Sequence, residues 1–209
     1  LRSPYRIKGK FLSFLSGIAA FILKSGIRLQ PMFVRYLGHS SFLLEFSHAA
    51  VIVDPCLHCV SYSNYKRLIP SPLKMEEIPP VSAVLITNEN EDHFDKKAVE
   101  YLALRDNACV IAHDSVLSEL NIPARCKRAV IVNSKVHVRG FQIDVVPAHH
   151  PRSFYPMGYN ITADAITVYH AGDTDLQEEY SPDFTAHVAL LPIGGNITMD
   201  IVDAVKATK

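Results

Sequence analysis

The chain has 209 residues, of which 48% are hydrophobic, and its 21 basic and 21 acidic residues give a formal net charge of zero. This length and hydrophobic content predict one globular domain and exclude an intrinsically disordered chain. The balanced charge gives no reason to expect a nucleic acid as a partner.

The first 32 residues form a basic leader with an apolar centre. They contain six basic residues and no acidic ones, around the apolar stretch FLSFLSGIAAFIL at 11–23. This stretch is shorter than the roughly 20 residues that span a bilayer. It resembles the core of a signal peptide, but no small-x-small cleavage site follows before Lys24. Two interpretations are favoured over secretion: an extension upstream of a natural start at Met32, or an amphipathic segment on a membrane surface or on the domain.

From residue 33 onward, short apolar runs alternate with turn residues, which predicts a mixed α/β domain over 33–209. The predicted strands are FVRYLG, SFLLEF, AVIVDP, SAVLIT, ACVIAH, RAVIVN, KVHVRG, FQIDVVPA, AITVYHAGD and HVALLPIGG. The predicted helices are KKAVEYLAL, DSVLSEL with Asp114 or Ser115 as its N-cap, and TMDIVDAVKA. Two polar, proline-containing passages, 61–80 and 150–160, are expected to be loops that border a pocket.

The four cysteines do not form a recognisable framework. Cys56 and Cys59 make a C-x-x-C motif, whereas Cys109 and Cys126 are not paired by any motif. A zinc ribbon needs a second close pair, and a disulfide-rich scaffold is unusual in a chain of this length. Ordinary reduced thiols are therefore the favoured interpretation.

Side chains that bind metals follow several predicted strands at the point where each strand ends. They occur in four segments: LGHSS with His39, VLITNENEDHFD with Asn88, Asn90, Asp92 and His93, PAHHP with His149 and His150, and YHAGDTD with Asp173. Loops that leave one edge of a sheet can converge, and a divalent cation offsets the repulsion within a cluster of acids. The pattern therefore predicts a cation site.

Calcium in an EF-hand loop is the alternative that the acidic segment suggests, because Asn88, Asn90 and Asp92 occupy alternate positions. The sixth position is His93, where an EF-hand has glycine, and the twelfth is Val99, where it has glutamate. Imidazole and carboxylate together favour zinc, manganese or iron.

Five segments resemble, in order and spacing, the motifs of the metallo-β-lactamase superfamily. They are LGHSSFLLE…VIVDP, LITNENEDHFD, VPAHH, MGYNI and YHAGDTD. Within the superfamily the chain is similar to the branch of ascorbate-6-phosphate lactonase-like and uncharacterised metal-dependent hydrolases. The resemblance implies an α/β, four-layer αββα sandwich with metals at one edge of the facing sheets. It also implies a histidine on a last strand, which is expected to be missing because none follows the 198–207 helix before Lys209.

The resemblance also implies a set of ligands. The family motif T-H-x-H-x-D-H aligns with residues 87–93, so Asp92 and His93 match its ligands, whereas Asn88 and Asn90 replace its two earlier histidines. His149 matches a ligand of the first metal, and Asp173 matches the carboxylate that bridges both metals.

His39 and His150 lie near this site by the same resemblance. Each is expected to orient substrate, to serve as an additional ligand or to make a structural hydrogen bond. Glu89 and Glu91 fall at the variable positions of the motif, so their side chains are expected to point away from the metals.

The expected function is hydrolysis of an ester, lactone or phosphodiester by metal-activated water, with Asp92 holding the metal and orienting the water. The alternative is a catalytically impaired member that binds a ligand or a partner. One divalent ion (zinc, manganese or iron) is favoured over two, and a metal-free chain is the remaining option. The expected partners are a small-molecule substrate, a membrane surface through residues 1–32 and a second copy of the chain. A cytoplasmic location is expected, with membrane association as the lesser alternative.

Overall fold

The computed structural model describes residues 18–20, 32–57, 69–177 and 185–208. Within these ranges the chain forms two β-sheets and three α-helices. The interpretations of most of the leader, and of the loop expected at 61–68, fall on residues outside these ranges.

The first sheet has its strands in chain order, β1 to β7. They are β1 (Ile18–Ala20), β2 (Phe33–Gly38), β3 (Ser41–Glu45), β4 (Ala50–Val53), β5 (Ala83–Leu85), β6 (Cys109–Ala112) and β7 (Lys127–Ala129). Strands β1 to β4 are antiparallel, whereas β4 to β7 are parallel. The central parallel strands β4 and β5 are buried along their whole length, as expected for strands covered on both faces.

Part of the leader joins this sheet, because the backbone of Ile18–Ala20 pairs with residues 33–35 of β2. This pairing places three residues of the 1–32 segment at the edge of the first sheet. None of the helices in the described ranges has the length and apolar character needed to cross a membrane.

The second sheet has the order β12-β11-β10-β9-β8 and is antiparallel except between β11 and β12. Its strands are β8 (Lys135–Val138), β9 (Phe141–Pro147), β10 (Met157–Ala163), β11 (Ile166–His170) and β12 (Val188–Leu190). In β9, Phe141, Ile143 and Val145 are buried while the residues between them are half-exposed. This alternation directs one face of the sheet into the core.

Two apolar cores separate the layers. One lies between the sheets and includes Leu44 and Leu85 from the first sheet, and Ile143 and Tyr159 from the second. The Tyr159 hydroxyl donates to the carbonyls of Ile86 (2.7 Å) and Ile111 (3.2 Å), which joins the sheets across this core. The other core packs the outer face of the first sheet against helices, so the expected αββα sandwich is confirmed.

The helices are α1 (Lys96–Asp106), α2 (Asp114–Glu119) and α3 (Ile201–Ala207). Asp95, at the end of the acidic segment, is the N-cap of α1 and accepts from the Ala98 amide. The N-cap of α2 is His113, so the prediction of Asp114 or Ser115 was wrong. The extended backbone of His113 lets its ring Nδ1 accept from the Ser115 amide, and Asp114 already lies inside the helix.

Two further expectations need correction. The passage expected to be a loop at 150–160 becomes strand β10 at Met157, because Met157, Tyr159 and Ile161 alternate into the core. Cys56 takes part in a disulfide bond, which contradicts the expectation of reduced thiols for this residue. Cys109 and Cys126 are free thiols.

Candidate metal centre

The strands that carry the candidate residues end at one edge of the two facing sheets. In the first sheet, the parallel strands β4 and β5 lead into Asp54 and Thr87, and the Asp54 amide donates to the Leu85 carbonyl. In the second sheet, β9 and β11 are both antiparallel to β10, so they run in the same direction. Their carboxyl ends lead into the histidine pair at 149–150 and into Asp173.

Gly172 lets the two sheets approach closely at this edge. Its φ is +63°, and a Cβ atom built on it would lie 2.8 Å from the Met157 carbonyl oxygen and 2.9 Å from the Thr87 Cβ. Both distances are too short for a side chain, so only glycine fits without a shift. The Met157 amide donates to the Thr87 carbonyl, which joins β10 to the end of β5. Asp173, the residue after Gly172, therefore lies close to the end of β5.

Asp54 is a fully buried carboxylate at the base of this edge, with a φ of +47°. It accepts hydrogen bonds from the Thr87 amide (2.7 Å), from the Thr87 hydroxyl (2.7 Å) and from His93 Nδ1 (2.8 Å). These three donors offset the cost of burying the charge. Asp54 was predicted only as part of the strand AVIVDP; the signal in the sequence was an acidic residue directly after an entirely apolar strand.

His93 lies between two carboxylates and is fully buried. Its Nδ1 is held by Asp54, and its Nε2 is 3.2 Å from Asp173 Oδ2. The second contact is not aligned as a hydrogen bond, so Nε2 is a buried nitrogen without a hydrogen-bond partner in the described part of the chain. Burial lowers the pKa of His93, but the charges of Asp54 and Asp173 outweigh burial and raise it well above its ordinary value.

Asp173 also faces His150, whose Nε2 is 3.6 Å from Asp173 Oδ2. The His150 side chain is buried, and its Nδ1 donates to the Ile197 carbonyl at 3.1 Å. Burial raises the pKa of Asp173, but its contact with His93 and the charges of His93 and His150 lower it below its ordinary value.

His149 points away from this cluster. Its side chain is 70% exposed, and its Nδ1 is 3.1 Å from Asp175 Oδ2. The backbone of the same residue is fixed, because its amide donates to the Thr174 hydroxyl and its carbonyl accepts from the Asp175 amide. Of the two adjacent histidines, the structure therefore turns His150 toward Asp173 and His149 toward solvent.

His39 and Asp92 form the outer part of the cluster. His39 Nε2 is 2.8 Å from Asp92 Oδ2, and the His39 ring meets the His93 ring edge to face at 5.7 Å. One ligand atom from each of these three residues lies within 4.8 Å of the others, which is close to the spacing around one ion. Burial raises the pKa of Asp92, but the His39 hydrogen bond and the His93 charge lower it below its ordinary value.

Asn88 and Asn90, which the sequence resemblance aligned with two motif histidines, build a turn. The side-chain oxygen of the buried Asn88 accepts from the Asn90 amide at 3.0 Å, and its nitrogen donates to the Thr87 hydroxyl at 3.3 Å. The Asn90 carbonyl then accepts from the amides of His93 and Phe94. The turn therefore orients His93 through the backbone.

Glu89 lies within this turn but is engaged elsewhere. Its carboxylate accepts from the Ser153 hydroxyl (2.9 Å) and from the Phe154 amide (2.6 Å), which ties the turn to the loop before β10.

Residues 33–209 match the family model of the beta-lactamase superfamily domain. The chain belongs to the metallo-β-lactamase superfamily. It is 33% identical over 190 residues to a UPF0173 metal-dependent hydrolase from Thermococcus kodakarensis, covering 84% of this chain and 78% of the relative. It is 34% identical over 196 residues to a similarly named protein from Aeropyrum pernix, covering 83% and 76%.

A solved structure is also similar, that of Igni18, a metallo hydrolase from Ignicoccus hospitalis. The TM-score is 0.69 at 28% identity, and the match covers 85% of this chain and 77% of Igni18. Both the sequence and the fold therefore agree with the superfamily that the motifs predicted.

A second residue of this metallo-β-lactamase-like edge, besides Asp54, was not identified from the sequence. His170, at the end of β11, is buried; its Nε2 donates to the Ser40 carbonyl at 3.0 Å, and its Nδ1 accepts from the Gly172 amide at 3.2 Å. Burial lowers the pKa of His170, in agreement with a neutral ring that both donates and accepts. His170 thus ties the β2–β3 turn to the loop that carries Asp173.

Proposed function

We propose that this protein is a metal-dependent hydrolase that cleaves an ester, a lactone or a phosphodiester at the edge of its two sheets. The observation that carries the proposal is the orphaned Nε2 of His93. This buried nitrogen faces the Asp173 carboxylate at 3.2 Å without a hydrogen bond, while Asp54 holds the opposite side of the ring. A divalent cation would use both the nitrogen and the carboxylate as ligands. The relatives named metal-dependent hydrolases support the same assignment.

Asp92, His93 and Asp173 are the residues that we assign to hold the cation. Their imidazole and carboxylate donors suit zinc, manganese or iron. His150 is buried and faces Asp173 at 3.6 Å, so it is a stronger candidate ligand than His149, which pairs with Asp175 in solvent. A bound cation lowers the pKa of a coordinated water by several units and so supplies the nucleophile near neutral pH.

The chain's own residues have distinct roles in this proposal. Asp54 accepts the hydrogen bond of His93 Nδ1, which fixes the ring, and a cation would displace the proton of Nε2 that faces Asp173. Asp92 is assigned to orient the attacking water, and its carboxylate is held in place by His39.

The asparagines at 88 and 90 favour the alternative of a member that binds a ligand without hydrolysing it. The amide of Asn88 is engaged within its own turn, so it offers no replacement for an imidazole. The two functions differ in activity after metal loading.

The test is metal content and hydrolysis in matched variants. The chain is purified without chelators, its metals are measured by mass spectrometry, and it is assayed with aryl esters, lactones and bis(4-nitrophenyl) phosphate. We expect at least one equivalent of Zn, Mn or Fe and hydrolysis of one substrate class. Asp173→Ala should lose both, whereas the exposed control Asp175→Ala should keep both.

A metal-loaded chain that hydrolyses none of these substrates would support the binding function. A chain that binds no divalent metal would overturn the hydrolase.

A further inference from the structure

His39 has an unusual backbone conformation at the cation site. It lies in the turn between β2 and β3 with a φ of +54°, a region that side chains other than glycine rarely occupy. Seven other non-glycine residues in the described ranges also have a positive φ, so this conformation positions the side chain and does not by itself mark a site. His39 places its Nε2 2.8 Å from Asp92 Oδ2.

The turn that carries His39 is anchored on both sides. The Ser40 carbonyl accepts from His170 of the second sheet, and the Ser40 hydroxyl donates to the Asp92 carbonyl at 3.2 Å. These bonds tie the turn to both loops that provide the proposed ligands. His39 is therefore held beside Asp92, although about half of its side chain is exposed.

His93 also offers its Nε2, which is fully buried, lies 3.2 Å from Asp173 Oδ2 and has no hydrogen-bond partner in the described ranges. The ligand atoms of His39, Asp92 and His93 lie within 4.8 Å of one another. Donors bonded tetrahedrally to one ion at about 2.1 Å lie about 3.4 Å apart, so the most widely separated pair would have to close by up to about 1.4 Å.

We propose that His39 is a cation ligand, and that His39, Asp92, His93 and Asp173 bind a single divalent ion in place of a two-metal centre. The proposal rests on the proposed metal-dependent function and assigns the ligands of that site more specifically. Asn88 cannot complete a first metal site, because both ends of its amide are bonded within the turn. Zinc can expand to five ligands, so four protein donors still leave a position for water.

The competing explanation is that His39 only donates a hydrogen bond to Asp92. His39→Gln separates the two roles, because a glutamine amide can donate that bond but is a poor ligand for zinc. The matched control is His48→Gln: His48 forms a similar, partly exposed pair with Asp164 at 3.4 Å, and it lies outside the proposed ligand set.

The experiment titrates metal-free full-length protein with ZnCl₂ in competition with a chromogenic chelator. We expect one equivalent for the wild type, an affinity at least about tenfold lower for His39→Gln, and no change for His48→Gln. The visible spectrum of the Co²⁺-loaded protein should change in His39→Gln and not in His48→Gln. Thermal melting of the metal-free variants verifies that both are folded.

Equal zinc affinity and equal cobalt spectra for His39→Gln and the wild type would overturn the ligand role of His39 and leave the hydrolase intact. Two tight equivalents in the wild type would overturn the single-ion site. Binding of no ion by the wild type would overturn the metal-dependent function as well.

Discussion

The His93 cluster and the His149–Asp175 pair lie at the same edge of the sheets and use the same two kinds of side chain, but their environments differ. His93 is fully buried between Asp54 and Asp173, whereas His149 is 70% exposed and contacts one partly exposed carboxylate. An exposed pair contributes at most about 1 kcal/mol, because water solvates both partners. Removing one partner of a buried pair leaves an uncompensated charge or an unpaired polar atom.

The same difference in burial separates the adjacent histidines His149 and His150 as candidate metal ligands. A metal site needs donors whose orientation is fixed before the ion binds. Burial of the ring and a hydrogen bond from its other nitrogen fix the orientation of a histidine. His150 has both properties through its contact with Ile197, whereas His149 has an exposed ring. The predictions below test the contrast between buried and exposed histidine–carboxylate pairs, from the largest expected effect to the smallest.

Asp54→Asn should have the largest effect, because it removes the buried charge that orients His93. We expect a loss of about 3 kcal/mol in the free energy of unfolding and a 10- to 100-fold loss of zinc affinity. Urea denaturation and chelator competition measure these quantities. Asp175→Asn in the exposed pair is the control, with a change in unfolding free energy of less than about 1 kcal/mol. Equal effects of the two substitutions would show that burial does not distinguish the pairs.

Gly172→Ala should force the two sheets apart at the edge where the buried His93 cluster lies. The added Cβ meets the Met157 carbonyl and Thr87 at a positive φ, so we expect a destabilisation of about 2–3 kcal/mol, measured by thermal melting. Gly194→Ala is the matched control, because the nearest heavy atom to its Cβ is 3.5 Å away. If Gly172→Ala melts like the wild type, the close approach of the sheets is not required.

His150→Gln and His149→Gln test the choice between the adjacent histidines. We expect zinc affinity to fall about tenfold in His150→Gln, because the buried His150 ring faces Asp173, and to stay within twofold in His149→Gln. Chelator competition measures both. The opposite result would restore the sequence-based assignment of His149.

The smallest effect is expected at Asp164, whose side chain lies outside the site. Its contacts with Ser47 lower the pKa of Asp164 despite partial burial, so its folded-state pKa lies below its unfolded one. The stabilisation is therefore present above the unfolded pKa and is lost as the pH falls through the folded pKa. Asp164→Asn should reduce stability by less than about 1 kcal/mol at pH 7 and by less still at pH 3, measured by urea denaturation. An equal loss of unfolding free energy at pH 7 and pH 3 would show that the charge of Asp164 is not the source of its stabilising effect.

Strands with continuous apolar runs were predictable from local sequence. AVIV and AVL became β4 and β5, because only a strand between two covered faces is apolar along its whole length. Strand β10 was missed because Gly158, Asn160 and Thr162 in MGYNITA suggest a loop. In the structure, position 158 needs a glycine because a Cβ atom there would lie only 2.9 Å from the His170 carbonyl oxygen. Contacts with residues distant in sequence therefore determine that this segment forms strand β10.

The sequence by itself determined the superfamily, and through that resemblance the layered fold, because its motifs are specific. It also determined most strand ends, because apolar runs and turn residues are local patterns. Only the tertiary structure decided which side chains at those ends face one another. Adjacent residues such as His149 and His150 can point in opposite directions, and packing against Ile197 and Asp173 selects between them. The role of Asp54 likewise appears only when Thr87 and His93 fold over it, because a buried carboxylate is defined by its donors.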